Sequence, residues 1–181
     1  MCNTGDSRAI LVNLDDYLNT DFEARNPTYS SFVKTTTDHT WDIMLEKNRI
    51  LDLGGRVYRC NGNKGPLRVW LPNVDRPGLA MSRSVGDHIA REVGVIWTPE
   101  INTHSLKTSS RYILVICSDG IHEFLSNQEI SEFVIMHRNQ KASDVAKLLV
   151  EISVKKWRKN DICVDDCTWQ VIYIHSNGGS E

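Results

Sequence analysis

The chain has 181 residues and a formal net charge of -2, with 40% hydrophobic and 24% charged residues, a mix that suits one ordinary globular domain. That balance offers no electrostatic reason to expect nucleic acid or a membrane surface as partner, and no apolar run approaches the ~18 residues that would span a bilayer. Five cysteines, at positions 2, 60, 117, 163 and 167, are odd in number and irregular in spacing. They point to buried thiols in a reducing, intracellular (cytoplasmic or nuclear) setting rather than to a disulfide framework. No secretory leader is read at Met1, and Cys163 and Cys167 lack two further ligands at zinc spacing.

The chain opens on turn chemistry, Asn3-Thr4-Gly5-Asp6-Ser7, followed by a strand over residues 8–13. Almost nothing precedes the turn, so the start reads as the middle of a hairpin. A weaker strand is expected near residues 31–36. Asp42 is placed to cap a helix that carries Ile43, Ile50 and Leu53 on one face, with Gly54-Gly55 ending it. Short strands are expected over residues 56–60 and 67–71, separated by a strong turn signal at 61–66. Residues 72–104 are punctuated by Gly and Pro, so the region from 56 to 94 is expected to be rich in loop, with one helical turn near 89–92.

An apolar run over 112–117 reads as a buried strand that stops at Ser118-Asp119-Gly120. Ser126-Asn127-Gln128-Glu129 matches a capping box before a helix that carries Ile130, Phe133 and Val134. A second helix starts near Ser143, with Val145, Leu148, Leu149 and Ile152 as its apolar stripe and a basic cluster, residues 155–159, at its C-terminal end. That cluster reads as a solvated helix end, since no wider basic stripe supports it. Residues 168–175 alternate as a strand, with Trp169, Val171 and Tyr173 on one side. Strands, two adjacent helices and a closing strand make an α+β chain with antiparallel sheets.

Three acidic positions sit beside strands: Asp6 before the first, Asp119 after the run 112–117, and Asp165-Asp166 before the last. Were these strands neighbours in a sheet, the carboxylates would converge at one edge. Carboxylate oxygens are the hard ligands that Mg²⁺ and Mn²⁺ prefer. Turn aspartates serving only the backbone would give the same spacing.

The order of the motifs adds to this. Asn3-Thr4-Gly5-Asp6-Ser7-Arg8, Thr37-Asp38-His39, Gly54-Gly55, the run from Leu79 to Asp87 (LAMSRSVGD), Pro99-Glu100-Ile101, Ser118-Asp119-Gly120-Ile121 and Asp165-Asp166-Cys167-Thr168 follow one another. The series resembles the metal-dependent serine/threonine protein phosphatases of type 2C, from Asn3 to about Ile174. The resemblance implies the later half of a four-layer α-β-β-α sandwich with antiparallel sheets and flanking antiparallel helices. It implies hydrolysis of phosphoserine and phosphothreonine in protein substrates by a water that two Mg or Mn ions activate. On the matching motifs, Asp119 and Asp165 are the expected metal ligands and Asp6 a ligand of a third, weaker ion. Asp166 replaces the family's usual Asn, and Thr40-Trp41 replaces its Lys-Pro after the Asp-His pair, so Asp38-His39 is assigned no chemistry. His122 stands where the family has an aromatic residue and reads as a packing substitute.

The family's early motifs are not found: the Arg that holds substrate phosphate, and the Asp-Gly-His-Gly segment with its bridging Asp and general-acid His. Residues 1–175 therefore read as a partial phosphatase domain followed by a polar tail, 176–181. No catalytic residue is expected within it, and the chain is expected to be inactive alone, with self-association or a partner chain covering its open faces. The alternative is a non-catalytic, protein-binding relative of the enzymes.

Overall fold

The computed structural model describes residues 1–20, 29–60, 65–161 and 163–175. In chain order the elements are β1 (Cys2–Asn3), β2 (Arg8–Asn13), α1 (Leu14–Leu18), a short 3₁₀ turn (Tyr29–Ser31), β3 (Val33–Thr35), α2 (Met44–Asp52), β4 (Arg56–Arg59), β5 (Leu67–Leu71), β6 (Val74–Leu79), α3 (His88–Arg91), β7 (Glu100–Ile101), β8 (Arg111–Cys117), α4 (Asp119–His122), α5 (Asn127–Met136), α6 (Ala142–Asn160) and β9 (Trp169–His175). The fold is mixed, with antiparallel sheets, as the sequence predicts. Two compact units form. One takes Ser7–Thr36 and the chain from Thr103 onward; the other takes Cys2–Asp6 and Thr37–Asn102.

The first unit is built on a four-stranded sheet in the order β3-β2-β8-β9. Its register sets Ile10 opposite Val115, Val12 opposite Ile113, Val115 opposite Val171 and Cys117 opposite Trp169. Side chains alternate between faces along a strand, so these residues share one face. Ile130, Val134 and Ile135 of α5 and Val145 and Leu149 of α6 pack on that face to close a core. Each fully buried Ile or Leu there contributes roughly 1.5–3 kcal/mol. Along β8 this face is buried, while on the other face Leu114 is half-buried and Ile116 is exposed.

The helix signals hold where the capping chemistry is local. Ser126 accepts a hydrogen bond from the Glu129 amide at 3.2 Å, and Glu129 accepts one from the Ser126 amide at 2.8 Å, completing the box. Lys156 also pairs with Glu129, and these contacts hold its carboxyl down at about 2. Within the α6 stripe, Val145 and Leu149 are buried while Leu148 is partly exposed.

In the second unit, α2 and α3 enclose Trp41, Ile50, Ala90 and Val93 with Val69 and Leu71 of the sheet β4-β5-β6. Two expectations are corrected here. The N-cap of α2 is Ile43, not Asp42: the Ile43 carbonyl accepts the first helical bond, from Lys47 at 3.0 Å, and Asp42 lies one residue outside. Ile50 is buried, but Leu53 is exposed and Glu46 takes the inward position. The expected loop-rich excursion contains a third strand, β6, despite its Pro77. Proline removes one ladder donor, which an edge strand tolerates, and β6 is an edge. Gly78 follows at φ 77° directly under Trp70, whose ring would lie 2.9 Å from an added β-carbon. Residues 61–64 of the expected turn lie outside the described residues.

The chain's opening is also corrected. Cys2-Asn3 do form a strand, but it pairs with β7, Cys2 opposite Ile101 and Asn3 opposite Glu100, rather than turning back onto β2. The short elements α1 and α4 carried no periodic signal, although Asn13 caps α1 by accepting from the Asp16 amide at 3.1 Å.

Candidate metal-binding site

The strand β8 delivers Asp119 as the first residue of α4, with Ser118 as the extended N-cap. The antiparallel partner β9 starts at Trp169, opposite Cys117, so the loop carrying Asp165 and Asp166 arrives beside the same strand end. Ser118 fastens it there. The Ser118 amide donates to the Thr168 carbonyl at 2.9 Å, the Ser118 hydroxyl donates to the Asp166 carbonyl at 3.0 Å, and the Thr168 amide donates back to that hydroxyl at 3.1 Å.

Gly120 lets the loop approach. A β-carbon there would lie 2.4 Å from the Asp166 carbonyl oxygen, so only glycine fits without moving backbone. Its own carbonyl accepts from the Trp157 indole at 2.6 Å and from the Cys167 thiol at 3.1 Å, tying α6 and the loop to α4. The role of Gly120 is thus to admit the neighbouring loop.

One oxygen of Asp119 accepts from the Gly120 amide at 2.9 Å, and one of Asp165 accepts from the Asp166 amide at 2.7 Å. Each carboxylate keeps a second oxygen. The Cys167 thiol reports the local field: burial, then the charges of Asp165, Asp166 and Asp119, push it above its usual range. The three acidic groups thus stand near this one thiol. Two carboxylates and water suit part of the octahedral shell of Mg²⁺ or Mn²⁺. Among the described residues no group of three His, Cys, Asp or Glu side chains is placed to hold a metal ion. A pocket of about 470 Å³ opens at these strand ends, lined by Ser7, Ser118, Thr168 and Gln170 with Ile116 and Trp169.

Asp6 falls in the second unit, in the turn between β1 and β2, so its assignment rests on its motif alone. His122 is buried, in keeping with a packing role. His39 is wholly buried; its ring Nδ1 lies 3.2 Å from the Gly5 amide and its Nε2 has no hydrogen-bond partner. Burial, then the nearby Arg83 charge, keep it below the ordinary histidine range.

Sequence reasoning missed an ionic cluster in the second unit. Glu46, 3% exposed, accepts from Arg49, Ser82 and Arg83, each at 2.7 Å. Burial pushes its carboxyl up, but these bonds outweigh it and hold the group at about 2. The only available signal was a carboxylate at an inward helical position between Ile43 and Ile50.

The family model "Protein phosphatase 2C" matches residues 1–162. "Probable protein phosphatase 2C 12" of Oryza sativa subsp. japonica is 36% identical over 180 residues, covering 98% of this chain and 43% of that protein. "Probable protein phosphatase 2C 73" of Arabidopsis thaliana is 34% identical over 179 residues, covering 98% and 44%. The chain thus spans about half the length of the curated relatives it matches. The crystal structure of serine-threonine phosphatase 2C from Toxoplasma gondii superposes with a TM-score of 0.73 at 19% identity, covering 95% of this chain and 53% of that one, which speaks for the fold.

Proposed function

Because the chain belongs to the protein phosphatase 2C family, we propose that it carries part of a metal-dependent protein serine/threonine phosphatase, with Asp119 and Asp165 as ligands of Mg or Mn. The observation that carries this reading is the Ser118 clasp, which brings the Asp165 loop against the strand end that presents Asp119. Hard carboxylate oxygens at adjacent strand ends suit such a cation. A bound cation there supplies the activated water for attack on the phosphorus of a phosphoserine or phosphothreonine side chain. Ser118 and Gly120 hold the two acidic segments together, and Trp157 braces the Gly120 carbonyl. Asp6 serves a third, weaker ion on its motif alone.

Two carboxylates do not complete a two-ion site, so the proposal includes that the 181 residues alone bind Mn²⁺ weakly and do not turn over. This favours a second reading as well, a protein-binding relative without catalysis, and one experiment separates them. Phosphopeptide hydrolysis is measured across a Mn²⁺ titration, for the chain alone and mixed with the remaining half of a family catalytic domain. The phosphatase reading expects hydrolysis only in the mixture, abolished by Asp119→Ala. Turnover by the chain alone that depends on Asp119 overturns the expected inactivity. An inactive mixture that still assembles favours the binding module.

A further inference from the structure

At the opposite end of the β8 strand from Asp119, we propose a binding pocket for a small phosphate-type oxyanion, built by Arg111, Arg138 and His175 and walled by Tyr173. Six rises along β8 separate Arg111 from Cys117, roughly 20 Å, so this pocket is distinct from the candidate metal site. It has a volume of about 270 Å³, and among the described residues no Asp or Glu lines it.

The donors are both held and partly uncommitted. The Asp15 carboxylate takes the amide, Nε and Nη2 of Arg111, fixing the guanidinium and leaving Nη1 over. Asp15 also offsets that charge, so the net positive charge comes from Arg138, with His175 adding to it when protonated. Arg138 spends Nη1 on the Ile135 carbonyl at 3.0 Å and keeps Nε and Nη2. The Tyr173 side chain forms part of the wall between the β9 edge and these donors. Asn139 and Gln140 add amide donors at the rim.

Guanidinium forks match the oxygens of phosphate and carboxylate alike. Phosphate is favoured because its four oxygens can meet two guanidinium groups and an amide together, where a carboxylate offers two. The ligand class is inorganic phosphate or a small phosphate monoester.

The test titrates inorganic phosphate into the full chain and follows backbone amide resonances. Saturable shifts are expected at residues 138–140 and 173–175, with a dissociation constant of order 1 mM. Arg138→Gln should weaken binding about tenfold and His175→Gln about threefold, while Lys159→Gln, the same charge change outside the pocket, should leave it unaltered. Acetate should bind at least tenfold more weakly. Shifts that do not saturate, shifts centred elsewhere, or equal losses in all three variants overturn the site. Equal binding of acetate overturns the phosphate assignment.

Discussion

Gly120→Ala tests the packing argument by its sign. Gly120 sits in helical α4, and Ala is favoured over Gly in a helix interior by up to ~1 kcal/mol. Local propensity alone therefore predicts a more stable protein. The tertiary contact predicts the reverse. The new β-carbon would lie 2.4 Å from the Asp166 oxygen and 2.9 Å from its carbonyl carbon, both backbone atoms that cannot swing away. Overpacking costs about 1–3 kcal/mol, and a clash with backbone puts this case at about 2–3 kcal/mol, so after the helix gain a net loss of about 1–2 kcal/mol is expected. For a chain of this size each kcal/mol lowers Tm by about 2–4 °C, placing the expected drop at roughly 2–8 °C. Relief of the clash displaces the loop from the Ser118 clasp, so Mn²⁺ affinity should fall too. Thermal and urea unfolding, with Mn²⁺ binding by calorimetry, measure both. A variant as stable as the parent or more so, with Mn²⁺ binding unaltered, would refute the reasoning.

The Glu46 cluster predicts that Glu46→Gln costs ~3 kcal/mol, the low end for breaking a buried ion pair, because Arg49 and Arg83 keep some solvent contact; a urea midpoint within ~0.5 kcal/mol of the parent would contradict it. His39 predicts a pH dependence of the second unit. Its folded-state pKa lies below 6.5, so the unfolded chain takes up the proton first. Its contribution is complete above pH 6.5 and is lost progressively as pH falls from there through the depressed folded value. Urea midpoints between pH 7.5 and 5.5 should decline in the parent and flatten in a His39→Gln variant that still folds, and parallel curves would exclude His39 as the source.

Strand β8, the capping box at Ser126 and the alternation of Trp169, Val171 and Tyr173 were legible because each is a local pattern whose period or spacing reports its own geometry. The motif series was legible for the same reason, and it placed Asp119 and Asp165 beside strands before any contact was known. Other features depend on partners far along the chain. The opening turn read as the middle of a hairpin, yet the short strand before it, Cys2-Asn3, pairs nearly a hundred residues away with Glu100-Ile101. Glu46 carries no local signal beyond its helical position, because the groups that satisfy it, Ser82 and Arg83, lie 36 and 37 residues further on. Pro77 argued against a strand, but the cost of its missing amide depends on whether a neighbour needs that donor, and at the edge of a sheet none does. The sequence by itself determined which segments could be helix or strand and where carboxylates would stand at their ends. Only the tertiary structure decided which ends meet, because pairing is settled by the burial and hydrogen bonding of both partners at once, as where the Asp166 carbonyl comes to rest against Gly120.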